Sequence, residues 1–177
     1  MTSSPVVLTS DQMKQALRRL DELLTDPVTL IVGGGGAMIL AHGIALATSD
    51  IDAIPRGMDI QSLDPIVKII AVELGLPPDW LNPYFSTFAH TLPSDYGQRL
   101  IEVFAGKKLR ALALGKDEML IMKCFAHRQK DVMHAKALIK KGADIGKVEI
   151  QIESLLKRGI PGAQEALDFL DDVREQM

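Results

Sequence analysis

Apolar positions at the start of the chain recur at helical spacing. Met13, Leu17, Leu20 and Leu24 fall on one face, and Thr9-Ser10-Asp11-Gln12 has the spacing of a capping box, with Thr9 as N-cap. A helix is therefore expected over residues 10–25, ended by Asp26-Pro27. Val28 to Val32 is then a continuous apolar run rich in β-branched residues, the pattern of a buried strand. Four glycines follow, Gly33 to Gly36, and the apolar stretch Ala37 to Ala41 is long enough for about two helical turns. Thr48-Ser49-Asp50-Ile51-Asp52 reads as another short strand, and Pro55-Arg56-Gly57 as a turn.

Asp64-Pro65 marks a further helix start, with Ile66, Ile69, Ile70 and Leu74 as its apolar face and Gly75 and Pro77-Pro78 as its stop. Residues 76–98 show no period and are expected to be irregular. Arg99 to Phe104 alternates as a strand with Leu100, Glu102 and Phe104 on one face, and Leu109 to Leu114 suggests one more. From Lys116 the pattern turns helical through to Gly142. A helix with Val148, Ile152 and Leu155 inward comes next, then a break at 159–162 and a last helix over 163–175. The expected fold is α/β (α+β): a small mixed β-sheet core in residues 1–115 with flanking helices, and a helical C-terminal part in 116–177 packed on it.

The candidate chemistry lies between the first two strands. On a strand, Asp50 and Asp52 point the same way while Ile51 points into the core. Two like charges so placed repel, and a hard cation such as Mg²⁺ between them relieves the repulsion. The glycines let backbone N–H groups approach a phosphate closely, and the start of the following helix favours an anion there. A phosphate cradle and a metal site would thus lie side by side, the equipment for chemistry on a nucleoside triphosphate.

This stretch resembles the signature of the nucleotidyltransferase superfamily with the polymerase-β-like fold, Gly-Gly/Ser followed by Asp-x-Asp/Glu. It is more closely similar to the bacterial minimal nucleotidyltransferases and AbiEii-type toxins. Aligned on Ala37, the family's glycine pair falls on Gly34 and Gly35, its later glycine on Gly43, its Ser/Thr on Thr48 and its carboxylates on Asp50 and Asp52. The family's arginine position is Leu46. A second run, lysine followed eight residues later by aspartate, places the lysine on Lys123, an arginine on Arg128 and the aspartate on Asp131, with His134 at the family's second aspartate. The resemblance implies Mg²⁺ or Mn²⁺ held by Asp50 and Asp52, and a nucleoside triphosphate such as ATP bound by Gly34, Gly35, Thr48, Lys123 and Arg128. Catalytic roles would fall to Asp50, Asp52, Lys123 and Asp131. Glu102, a carboxylate between Leu100 and Phe104, is the candidate for the superfamily's third acid. The implied reaction moves a nucleoside monophosphate to a hydroxyl of tRNA, protein or a small molecule, in a toxin of a toxin–antitoxin pair whose partner is an antitoxin protein.

Other readings weigh against parts of this one. No Lys-Ser/Thr follows the glycines, which excludes a P-loop, and G-x-G-x-x-G/A fails at Met38 or Ile39, so a dinucleotide fold fits poorly. If one helix runs through the segment, Lys123, His127, Lys130, Asp131 and His134 form a polar stripe; the rival reading pairs Lys123 with Asp131 or Glu118 as a structural bridge. His127 and His134 lack zinc-like spacing. Trp80, Tyr84 and Phe85 would either stack on a base or pack the irregular segment onto the core. An inactive module that binds nucleotide or a partner protein is the alternative, motivated by Leu46 and His134.

Composition changes this picture little. At 177 residues and 47% hydrophobic, the chain suits one domain with a helical tail, and no apolar window is long enough to span a membrane. The single cysteine, Cys124, fits a reducing cytoplasm, and the first residues lack the pattern of a secretory signal. The net charge of −3 hides an uneven spread: eleven Lys/Arg against four acids lie between Lys107 and Lys147. Those cations would be solvated helix faces or a stripe facing a phosphate backbone.

Overall fold

A computed structural model describes residues 6–177. The N-terminal reading of no signal pattern falls partly on residues 1–5, outside the described residues. The described chain forms a five-stranded mixed sheet and seven α-helices, so the α/β expectation holds. It divides into two compact units. One takes the chain up to Ser86 together with Ile101–Ala113, and the other takes Thr87–Leu100 and Leu114 onward.

The first unit is built on strands β1 (Val28–Gly33), β2 (Ile51–Pro55), β3 (Leu81–Asn82), β4 (Ile101–Ala105) and β5 (Leu109–Ala113), in the order β3-β2-β1-β5-β4. β2 runs antiparallel to β1, β5 runs parallel to it, and β4 closes the sheet as an antiparallel edge. Paired residues share a face. One face collects Val28, Leu30, Val32, Ile51, Ala53, Leu109, Ala111 and Ala113, all buried. The other carries Asp52, Asn82, Ile31, Leu112 and, at the exposed edge, Glu102 and Arg110.

Helix α1 (Ser10–Leu23) forms as its sequence predicts. The Thr9 hydroxyl accepts the Gln12 N–H at 3.1 Å while the Gln12 side chain accepts the Thr9 N–H at 2.9 Å, and Met13, Leu17, Leu20 and Leu24 are buried. Its Asp21 carboxylate then gathers the N–H groups of Lys107, Lys108 and Leu109, at 2.7–3.1 Å, tying the β4–β5 turn to the helix. Helix α2 is Gly34–Leu40: the glycines are its first turn, not a bend that precedes it. Helix α3 (Asp64–Leu74) ends on Gly75 in the left-handed region, as expected, but buries Val67, Ile70 and Ala71 and leaves Ile69 half exposed. The buried face is shifted by one residue from the expected one, and Trp80, fully buried, donates its indole N–H to the Val67 carbonyl at 2.8 Å.

The second unit holds α4 (Lys116–Ala126), α5 (Gln129–Lys140), α6 (Ile145–Lys157) and α7 (Ala163–Glu175). Val148, Ile152 and Leu155 point inward as expected. The segment 87–100 joins these helices, not the first unit: Gln151 donates to the Thr91 carbonyl at 3.0 Å, and Arg99 bonds Glu118 at 2.6 Å while gripping Asp95 with both terminal nitrogens. No periodicity announces such pairs, so a boundary drawn at Lys116 misses them.

One helix does not run through 116–140. His127 adopts φ 36°, ψ 39°, and the chain restarts at Gln129. A residue with a Cβ in this left-handed region is strained by about 1–2 kcal/mol, and a β-branched one by more. His127→Val is therefore expected to be about 2 kcal/mol less stable than His127→Gly in chemical denaturation. Equal midpoints would show that this turn stores no strain.

Candidate functional site

The site is assembled where β1 hands over to α2. Gly34, the first residue of α2, sits at φ +57°, and a Cβ there would collide with the Asp52 carboxylate. Gly35 is equally confined, since its Cβ would meet Leu46 Cδ1 and Thr48 Cβ at 3.0 Å each. Gly34 must be glycine, because its φ is positive and the acid presses directly on its backbone, while at Gly35 a side chain would have to push Leu46 and Thr48 aside. Gly34 and Gly35 open a helix, so their N–H groups have no acceptor within it.

Asp52 is the second residue of β2, 9% exposed, and stands in register with Gly33 on one side and Asn82 on the other. Asp50 lies just before β2, because the strand begins at Ile51 and not at Thr48. Its two oxygens are each held. Oδ1 accepts from the Thr48 hydroxyl at 3.2 Å, and Oδ2 accepts from the Asn82 amide at 2.9 Å. Thr48 thus touches both the glycine turn and Asp50, and the two carboxylates are drawn to the same end of the sheet. Leu46, at the family's arginine position, packs its side chain on Gly35.

Asn82 is a residue that the sequence reading missed. It belongs to a two-residue strand inside a segment expected to be irregular. The run PPDWLN does resemble a segment of the minimal nucleotidyltransferases, but nothing in its pattern says that the asparagine reaches an acid thirty-two positions earlier.

Glu102 does not join this cluster. It stands on edge strand β4, exposed, with its carboxylate 2.7 Å from Arg110. β1 and β5 intervene between it and β2, which puts it about 14 Å away at the usual strand spacing. The expectation of a third carboxylate at Glu102 is thus corrected: a surface ion pair accounts for the acid. Of the two readings of the aromatic residues, packing holds for Trp80 and Phe85. Trp80 and Phe85 are core residues, with Phe85 lying on Gly33, while Tyr84 is half exposed.

Lys123, Arg128 and Asp131 meet one another within the helical unit. Asp131 is fully buried. Its Oδ1 lies 3.1 Å from the Lys123 ammonium and 3.7 Å from His134 Nδ1, and its Oδ2 accepts from the Arg128 side chain at 2.9 Å and from the Arg128 N–H at 3.0 Å. The last bond is the reach-back half of a capping box and starts α5. The polar stripe is therefore folded back at His127 instead of running along one helix. Burial works to raise the Asp131 carboxyl, but its close neighbours His134, Arg128 and Lys123 outweigh it and hold it well below the usual range. Burial also lowers the Lys123 ammonium, opposed by Asp131. Cys124 beside them is buried and pushed up to about 12, so it is no nucleophile at neutral pH.

Among the described residues no group of three or more His, Cys, Asp and Glu side chains is arranged to hold a metal ion. Two carboxylates are enough for Mg²⁺, which keeps several waters and takes phosphate oxygens for the rest. One hydrogen bond at each Asp50 oxygen leaves a lone pair on both, and Asp52 adds a second carboxylate beside the glycine turn. The donor set fits a hard divalent cation.

Gly34→Ala tests this packing. The substitution strains φ and pushes on Asp52, so it is expected to cost about 1–2 kcal/mol of stability and to weaken Mn²⁺ binding severalfold. Unchanged Mn²⁺ affinity would separate the glycine turn from the acids.

A glycine turn pressed against paired acids at the end of a mixed sheet defines a nucleotidyltransferase-like protein. The chain belongs to the family DUF6036, described as a nucleotidyltransferase of unknown function, whose model matches residues 11–169. No curated protein and no solved structure matches it. No helix among the described residues is long and apolar enough to cross a membrane.

Proposed function

We propose that this protein is a Mg²⁺-dependent nucleotidyltransferase that moves a nucleoside monophosphate from a triphosphate to an acceptor hydroxyl. The observation that carries the reading is the close packing of the backbone at Gly34 and Gly35 on Asp52 and Thr48, which sets the start of a helix beside the acids. Asp50 and Asp52 would hold the cation, and the N–H groups of Gly34 and Gly35 would face the triphosphate. Thr48 holds Asp50 and does not itself need to touch nucleotide. A bound Mg²⁺ neutralises charge on the transferring group and on the leaving oxygen. The acceptor oxygen forms a bond to the α-phosphorus, the bridging α–β P–O bond breaks with its electrons leaving on pyrophosphate, and the acceptor's proton goes to solvent.

In the helical unit Asp131 would hold Lys123 and Arg128 in place, a role that its contacts with both support. The resemblance to AbiEii-type enzymes supports a toxin paired with an antitoxin protein, working in the cytoplasm on tRNA, protein or a small molecule.

The test is incubation of the protein with each labelled triphosphate, Mg²⁺ and cell extract. Label is expected in one macromolecular or small-molecule fraction, and only with Mg²⁺ present. A second reading, a module that binds without turnover, is favoured by Leu46 at the arginine position. It predicts stabilisation by a triphosphate with Mg²⁺ and no label in any fraction. No thermal shift with any of the four triphosphates would sink the transferase and favour a module that binds a partner protein.

A further inference from the structure

Asn82 is held more firmly than an asparagine on a two-residue edge strand requires. Its Oδ1 accepts the Tyr84 N–H at 3.1 Å, which fixes the amide orientation and leaves Nδ2 facing the acid. Nδ2 then donates to Asp50 Oδ2 at 2.9 Å and to the Asp79 carbonyl at 3.2 Å. A flipped amide would set its oxygen against a carboxylate and a carbonyl and lose all three bonds. Asn82 also stands in register with Asp52, so one side chain adjoins both acids.

An acid at this position would set a third carboxylate beside Asp50 and Asp52, and the added negative charge would favour a second cation there. The amide instead contributes a donor and no charge. We infer that Asn82 is a positioning residue that fixes the Asp50 carboxylate and limits this centre to one divalent cation. The inference rests on the proposed reading of Asp50 and Asp52 as the cation's ligands. An asparagine serving only to pack the turn would have no reason to respond to charge, whereas this role makes the two natural variants act in opposite directions. Asn82→Ala removes the donor and frees Asp50 to rotate. Asn82→Asp keeps the shape, adds a charge and places three acids together, a repulsion that a cation relieves.

The experiment is Mn²⁺ titration of the full chain by calorimetry, without nucleotide, on the wild type and both variants, with melting curves taken with and without Mn²⁺. The wild type is expected to bind one Mn²⁺. Asn82→Ala should bind it at least fivefold more weakly. Asn82→Asp should bind at least tenfold more tightly or take a second ion, and should melt lower than wild type without Mn²⁺ and recover with it. Its affinity should also fall more steeply than that of wild type between pH 7 and pH 5. If the Asp variant does not fold without metal, its recovery on adding Mn²⁺ and the weakened binding of the Ala variant carry the same result. Both variants shifting affinity in the same direction, or neither shifting it, overturns the role of Asn82. No Mn²⁺ binding by any of the three overturns the proposed function itself.

Discussion

Asp50→Ala is expected to lower transfer of labelled nucleotide by at least about a thousandfold, or about 4 kcal/mol of barrier. The melting temperature should stay within about 2 °C of wild type, since the change removes partly exposed polar contacts and leaves the apolar core untouched. The separation follows from where Asp50 stands. It precedes β2, is only partly buried, and its bonds to Thr48 and Asn82 join three polar side chains at the end of the sheet without supporting the core. Asp52 is less suited to the same experiment because it is packed against Gly34, and its loss would disturb the turn as well as the chemistry. Transfer at a wild-type rate by the Asp50 variant would dispose of the mechanism.

The largest effect on stability is expected in the helical unit, at Asp131. Removing one partner of a buried ion pair strands the other, at about 3–5 kcal/mol, whereas replacing both by apolar groups is often neutral. Asp131→Ala would leave the Lys123 ammonium, 6% exposed, without its carboxylate and would also free the start of α5. Urea denaturation should therefore show a loss of that size for Asp131→Ala, and recovery of most of it in the double variant Lys123→Met, Asp131→Leu. The pH dependence follows from the same carboxyl. Its folded value is depressed, so the stability it contributes is complete above about pH 4, the unfolded carboxylate value, and drains away as the pH falls toward the folded value. The double variant should lack this part of the acid loss. A double variant as unstable as Asp131→Ala would mean that the packing of α4 and α5, and not the ion pair, sets the cost.

What could be read in the sequence was whatever a local rule fixes. The capping box at Thr9 and Gln12, the β-branched run of β1 and the inward positions of α6 each depend on neighbours within one or two turns. The glycine turn and Asp52 were legible because order and separation along the chain already bring them together. Asn82 was not, since a strand of two residues has no period, and its partner Asp50 comes from across the sheet. Glu102 misled for a related reason: nothing local told an edge strand from a central one, or announced the bulge that sets Glu102 and Phe104 on opposite faces. The break at His127 was equally hidden, because neither glycine nor proline marks it. Only the acid three residues past Arg128 hints at a new helix start.

The central claim is that Asp50, Asp52 and the glycine turn together grip a metal-bound polyphosphate. Calorimetric titration of ATP and the other three triphosphates into the wild type and Asp50→Ala, with and without Mg²⁺, tests it most directly. The account predicts saturable binding of at least one triphosphate by the wild type with Mg²⁺, binding at least tenfold weaker without it, and a similar loss in the variant with Mg²⁺ present. Binding that is equal with and without Mg²⁺ and equal in the two proteins would contradict it.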